Sequence, residues 1–171
     1  MSDLYIAYNG AMVTTVPFVA VTTGATGPST SDKTLLQIAT PSTRPITIVE
    51  WGISFDGSAA GTPIKCELIQ TDVAATVTAH VAAGVQCLTD PNAPASLMTL
   101  GTSATGYTAS AEGTTTATRV FDTQFIAPTS QYVKQWPLGR EPCMGISKFL
   151  RIRVAASAAV NAICYAVWGE F

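Results

Sequence analysis

The chain has 171 residues, which suits one domain that buries a core without disulfide or metal staples. Only 12% of the residues are charged and the net charge is −2, whereas alanine and threonine occur 25 times each. The nine Lys and Arg residues form no basic run, which argues against a nucleic-acid partner. A surface of small neutral side chains favours close contact between protein copies.

The first thirty residues carry weak strand signals. Leu4–Tyr8 predicts a short strand, and Met12–Val21 is rich in β-branched residues but contains a proline, which favours an edge or bulged strand. Gly24–Ser31 is a loop of Gly, Thr, Ser and Pro. We therefore expect an N-terminal arm or edge strands over residues 1–30, and a β-sandwich domain over residues 31–171.

The clearest strand is predicted over Pro45–Asp56. Apolar side chains alternate along it and point to one face, as in a half-buried antiparallel sheet. These side chains are Val49, Trp51, Ile53 and Phe55. Ile46 and Ile48 are out of phase with them, which predicts a β-bulge or two-sided burial near Val49.

Two shorter strands are predicted on either side of this one. They cover Thr34–Ala39 and Ile64–Thr71, and we expect the second to be the hairpin partner of the strand over Pro45–Asp56. The long region Asp72–Thr118 is weakly patterned, and a plain loop of that length is unusual, so we expect short strands within it. Its alanine-rich part, Asp72–Gly84, is also compatible with one or two helical turns.

The apolar end of the chain raises the question of a membrane anchor. Arg151, Arg153 and Asn161 interrupt it, so no segment reaches the roughly 20 apolar residues of a membrane helix, and we expect no membrane contact. The alternation predicts a β-hairpin with the two arginines exposed on its outer face. Its predicted buried residues are Leu150, Ile152, Val154, Ile163, Tyr165 and Val167.

Further strands over Thr116–Ala127 and Tyr132–Trp136 bring the total to about eight to ten. Helix signals are nearly absent and no repeat recurs at a fixed period. The sequence therefore predicts an all-β, antiparallel β-sandwich of jelly-roll type with little helix.

The sequence offers little catalytic chemistry. The one histidine, His80, has no visible partner for a nucleophilic triad and is predicted to be a surface or loop residue. Glu50 and Glu67 could form a glycosidase pair if their strands were adjacent, but a cross-strand pair between Glu67 and a cation is the simpler interpretation. No phosphate-binding glycine motif occurs.

The four cysteines lack the spacing of a zinc site. We expect Cys66 and Cys164 to be buried strand residues and all four cysteines to be reduced. Together these patterns predict no catalytic, cofactor or metal site, and hence no enzyme.

Interface residues are the remaining kind of site. Trp136 and Arg140 lie at a predicted strand end and in the loop after it, and tryptophan and arginine are favoured interface anchors. Arg151 and Arg153 are further candidates, because two guanidinium groups side by side could meet carboxylates of a neighbour.

Three long runs resemble structural proteins of tailed bacteriophages of actinobacteria, in the head decoration or minor capsid group. They are TLLQIATPSTRPITIVEWGISFDG, TAHVAAGVQCLTDPNAPASLMTLGTSATGY and PLGREPCMGISKFLRIRVAASAAVNAICYAVW. The resemblance covers most of the chain after about residue 33.

This resemblance implies a non-enzymatic virion protein, assembled in the host cytoplasm, that decorates and stabilises the capsid exterior. Its partner would be the major capsid protein, and the implied oligomer is a homotrimer. Similar sequences also occur among minor tail proteins, so a tail or tail-tip protein that binds host glycan is the alternative.

Overall fold

A computed structural model describes residues 3–13, 15–23, 32–57, 61–115 and 118–170. Within these residues the chain forms thirteen strands and a single 3-10 turn, Ala82–Gly84. The predicted loop Gly24–Ser31 lies outside the described residues. In chain order the strands are β1 (Asp3–Tyr8), β2 (Val21–Thr22), β3 (Lys33–Ala39), β4 (Ile46–Phe55), β5 (Ile64–Thr71), β6 (Thr76–Ala79), β7 (Val85–Cys87), β8 (Gly106–Ala111), β9 (Thr118–Ile126), β10 (Gln131–Gln135), β11 (Cys143–Met144), β12 (Phe149–Ala155) and β13 (Asn161–Glu170).

The strands form two antiparallel sheets with the apolar core between them. The seven-stranded sheet has the order β10-β4-β13-β1-β7, with β2 beside β13 and β11 beside β4. The six-stranded sheet has the order β6-β8-β3-β12-β5-β9. Buried side chains from both sheets belong to one core cluster, which includes Trp51, Trp168, Leu36 and Leu68.

Eight of the strands have the pairing of a jelly roll. β1 pairs with β13, β3 with β12, β4 with β10, and β5 with β9. Of these eight strands, the first pairs with the last and the second pairs with the second-last, and the pattern continues inward. The arrangement is that of one long hairpin wrapped into two sheets. The predicted all-β, jelly-roll-like sandwich is confirmed.

The connection between β5 and β9 extends both sheets at one side of the sandwich. It carries β7, which adds to the seven-stranded sheet beyond β1, and β8 with β6, which add to the six-stranded sheet beyond β3. The short strands expected in Asp72–Thr118 are confirmed, and helical structure among the described residues of that region is limited to the 3-10 turn.

The predicted bulge in β4 is also confirmed. Glu50 pairs with Val167 and Ile48 pairs with Trp168, so Val49 is an extra residue in β4. The extra residue shifts the alternation by one position, as a β-bulge does. Ile48 on one side of the bulge and Trp51 on the other are both fully buried, although their spacing is odd.

Two predicted hairpins are wrong. β5 does not pair with β4, because it lies between β12 and β9 in the opposite sheet. The two strands of the C-terminal tail also lie in opposite sheets, β12 in the six-stranded and β13 in the seven-stranded one. In a jelly roll, most consecutive strands cross from one sheet to the other, and a short connection then resembles a hairpin turn in the sequence.

The core faces of the tail strands were only partly predicted. Leu150, Ile152 and Val154 are buried as expected. In β13 the opposite face fills the core, with Ala162, Cys164, Ala166 and Trp168 fully buried. Ile163 and Tyr165 are half-buried on the outer face, and Val167, beside the bulge, is buried.

The first strand lies inside the seven-stranded sheet. β1 pairs with β13 on one side and β7 on the other, and Tyr5 and Ala7 belong to the core cluster. Among the described residues of the predicted strand Met12–Val21, Val21 at its end lies in a strand, β2. The boundary between residues 30 and 31 involves residues that the structure does not describe, so the division into arm and domain stays a prediction.

Candidate protein-protein interface

Arg151 does not reach the surface, so its predicted exposure is wrong. Its side chain is 0% exposed on the outer face of β12. One terminal nitrogen, Nη1, donates to the main-chain oxygen of Glu112 at 3.0 Å and to its Oε2 at 3.3 Å, and Nη2 donates to the main-chain oxygen of Val73. Val73 and Glu112 belong to the β5–β9 connection, which therefore covers this face of the sheet.

The Glu112 carboxylate is held from a second strand as well. It accepts from the main-chain N–H of Thr34 on β3 at 2.6 Å and from the Thr34 hydroxyl at 2.5 Å. Burial lowers the pKa of Arg151, and the nearby charge of Arg153 lowers it further, whereas Glu112 acts in the opposite direction. Arg151 thus stabilises the chain internally and has no donor directed to a neighbour.

Arg153 is also engaged within the chain. Its side chain is 18% exposed, its Nη2 lies 3.2 Å from Oδ2 of Asp32, and the same nitrogen donates to Oε1 of Glu67 on the adjacent strand. Lys65 Nζ lies 3.2 Å from the other Glu67 oxygen. Arg153 is therefore only partly exposed, unlike the buried Arg151. The predicted cross-strand pairing of Glu67 with a cation is confirmed.

Glu50 and Glu67 do not form an acid pair. Glu50 lies on β4 in the seven-stranded sheet, where it accepts a hydrogen bond from the Tyr165 hydroxyl at 2.5 Å. Glu67 lies on β5 in the six-stranded sheet. Both side chains are on outer faces, so the whole sandwich separates the two carboxylates.

His80 lies in a loop as predicted, but it is buried, at 4% exposure. Its Nε2 lies 2.7 Å from the main-chain oxygen of Tyr8, and its ring contacts the Tyr107 ring, with centroids 4.9 Å apart. Burial lowers the pKa of His80, and the hydrogen bond to Tyr8 partly offsets this effect. The neutral ring joins the loop after β6 to the end of β1.

Two of the cysteines are buried as expected. Burial raises the pKa of Cys66 to about 12 and that of Cys164 well above its ordinary value. Neither thiol therefore has thiolate character at neutral pH. In the part of the chain that the structure describes, no three His, Cys, Asp or Glu side chains come together as a metal site would need. No helix among those residues is long and apolar enough to span a membrane.

One side of the sandwich presents apolar side chains to solvent. Here β9 and β10 end the two sheets, and we call these two strands, with the loop 136–141 after β10, the open edge. The strands are joined by Asp122 on β9, which accepts from the Tyr132 hydroxyl at 2.8 Å and from Trp51 Nε1 at 3.2 Å. The exposed apolar residues of the open edge are Val120 (58%), Phe125 (76%), Val133 (53%) and Leu138 (97%).

Two of the four predicted interface residues lie on the open edge. Trp136 is half-buried: its main-chain N–H donates to Val49 and its ring packs partly against the core. Arg140 is exposed at a turn in which its N–H donates to the Pro137 oxygen at 2.9 Å. Sequence patterns missed the exposed Phe125 and Leu138, because nothing local distinguishes an apolar residue at an edge from one in the core.

The outer face of the seven-stranded sheet holds a shallow groove of about 340 Å³. Tyr8 and Tyr165 contact each other there, with ring centroids 5.7 Å apart. Glu50 and Gln135 supply polar groups beside several aliphatic side chains. The groove thus combines aromatic rings with hydrogen-bonding groups.

No family model matches the sequence, and no curated protein or solved structure is significantly similar to the chain.

Proposed function

We propose that this chain is a non-enzymatic structural protein of a tailed-phage virion that decorates the capsid exterior and stabilises it through contacts with the major capsid protein. The open edge is the observation that supports a contact function most directly. Free proteins usually keep exposed sheet edges very short or cover them, and charges or bulges protect many of the others. β9 does carry a bulge at Phe121, but it is nine residues long and exposes two large apolar side chains, Val120 and Phe125.

The phage interpretation is supported by the three runs that resemble virion proteins. The third run begins at Pro137 and includes Leu138 and Arg140, which are both exposed on the open edge. An almost fully exposed leucine two residues before an exposed arginine suits a contact that combines apolar burial with charge. This loop is therefore the proposed contact with the capsid lattice.

Binding to undecorated capsids of the matching phage tests the proposal. Purified protein is mixed with capsids and sedimented, and the bound fraction is measured for the native chain and for Leu138→Asp and Arg140→Glu. We expect each variant to weaken binding by about tenfold or more, because both residues are exposed and neither supports the core. Val81→Asp, at a 64% exposed position outside the open edge, is the matched control.

Equal binding by all four proteins would contradict the assignment of the loop 136–141. Absence of binding by the native chain would contradict the capsid function itself. Immunogold labelling of whole virions separates head from tail, and labelling confined to tails would favour the alternative below.

A tail or tail-tip protein that binds host glycan is the second candidate. The groove beside Tyr8 and Tyr165 supports it, since shallow sites with aromatic rings and a few polar groups suit small polar ligands. Pull-down on purified host cell-wall glycan tests this candidate. Loss of that binding in Tyr165→Ala, with capsid sedimentation absent, would support it over the capsid function.

A further inference from the structure

β9 is the longest strand that ends a sheet. Among the described residues it pairs only with β5, so its other side presents unpaired main-chain N–H and C=O groups. The remaining sheet ends are shorter: β10 has five residues, β6 has four and β7 has three. A long unpaired strand is complementary to another extended strand.

A β-bulge gives β9 an unusual symmetry. Val120 pairs with Ile69 and Asp122 pairs with Leu68, so Phe121 is an extra residue. The bulge reverses the alternation of side chains at the middle of the strand.

The faces follow from the β5 partners and from the contacts. The outer residues are Thr118, Val120, Thr123 and Phe125, and the inner residues are Arg119, Phe121, Asp122 and Gln124. The sequence of faces is therefore the same when read from either end about the Phe121–Asp122 bond.

This symmetry suits pairing of β9 with itself. In a regular strand, a two-fold axis between consecutive residues would place each outward side chain opposite an inward one. With the bulge, outer residues meet outer residues: Val120 lies opposite Thr123 of the second copy, and Thr118 opposite Phe125. The self-pairing thus includes the eight residues from Thr118 to Phe125.

Charge favours the same register. Arg119 lies opposite Gln124 of the second copy and Asp122 opposite Phe121, so no like charges meet. A register centred on Asp122 would instead place two aspartates opposite each other, which is unfavourable. We propose that β9 pairs antiparallel with β9 of a second copy, about a two-fold axis between Phe121 and Asp122.

The contact covers apolar surface as well as main-chain groups. Val120 and Phe125 are 58% and 76% exposed on the outer face, and each is present twice in the pair. Such a contact is isologous, so it gives a dimer in place of the trimer that the virion resemblance implies. The pairing does not depend on capsid binding and can be measured in the purified protein alone.

Sedimentation equilibrium of the purified full chain tests the dimer. We expect the native protein to dimerise, and Val120→Lys and Phe125→Lys to raise the dimer dissociation constant about tenfold or more, because an edge lysine resists strand pairing. Val81→Lys is the control and should dimerise like the native protein. Circular dichroism verifies that each variant is folded.

Disulfide trapping tests the register, in a chain whose surface thiols are removed by Cys87→Ser and Cys143→Ser. Adding Val120→Cys with Thr123→Cys should give a covalent dimer on mild oxidation, whereas Thr118→Cys with Thr123→Cys should not. A monomeric native chain, association unchanged by both lysine variants, or trapping by the second cysteine pair alone would overturn the proposal.

Discussion

Replacing Arg151 by methionine tests whether this arginine stabilises the fold from within or acts as a surface contact. Methionine keeps an unbranched apolar chain that reaches about as far as the Nε of arginine, but it removes all the guanidinium donors. Two main-chain oxygens, those of Val73 and Glu112, then lose their charged partner beneath the β5–β9 connection. The Glu112 carboxylate loses one partner but keeps its two hydrogen bonds from Thr34.

The expected cost is at the lower end of the range for breaking a buried ion pair. That range is about 3–5 kcal/mol. The Glu112 side chain is 30% exposed, so water can partly replace the lost donor, and we expect unfolding free energy to fall by about 3 kcal/mol. For a chain of this length, such a loss lowers Tm by about 6–12 °C.

Urea unfolding followed by circular dichroism measures the change in stability. Arg140→Met is the matched control, because Arg140 is exposed, and it should stay within about 0.5 kcal/mol of the native protein. Hydrogen exchange of Arg151→Met should increase first in the connection around Val73 and Glu112. A loss below about 1 kcal/mol would refute the view that Arg151 fixes this connection.

Two further variants test close contacts elsewhere. A Cβ added at Gly52 would lie 2.6 Å from Cε1 of Tyr165. Gly52→Ala should therefore lower the unfolding free energy measured in urea by about 1–3 kcal/mol. Gly145→Ala is the control, because a Cβ there would have no atom within 4 Å, and it should not destabilise the protein. Equal stability of the two variants would contradict this. Burial lowers the pKa of His80, so its stabilising effect should be complete above the unfolded-state pKa of about 6.5 and decline as the pH falls below it. His80→Gln should reduce the difference in urea midpoint between about pH 7 and about pH 5, and an unchanged difference would contradict the assignment.

The strands could be predicted from the sequence because their signals are local. β4 alternates with a period of two, and the odd spacing of Ile48 and Trp51 predicted its bulge. The sheet to which each strand belongs, by contrast, depends on pairing with residues far away in sequence. The turn between β12 and β13 is short, yet these strands cross between sheets, because β13 pairs with β1 and β4.

The arginines show why the exposed surface was harder to predict. Alternation correctly places Arg151 opposite the core face of β12, but it does not reveal what covers the other face. The cover comes from Val73 and Glu112, which lie in a region without periodicity and far away in sequence. The open edge was missed for a related reason, since edge position depends on the pairing of the whole sheet.

The sheet edges differ between the two sides of the sandwich. At the β1 and β3 side, the β5–β9 connection adds β7, β8 and β6, and the sheets end in strands of three and four residues. Arg151 holds that connection, whereas β9 on the other side has no such cover among the described residues. Weakening the connection should therefore leave β9 intact, and Arg151→Met should be less stable yet dimerise like the native chain. Loss of dimerisation by an Arg151→Met variant that circular dichroism shows to be folded would indicate that the second copy binds at the connection side.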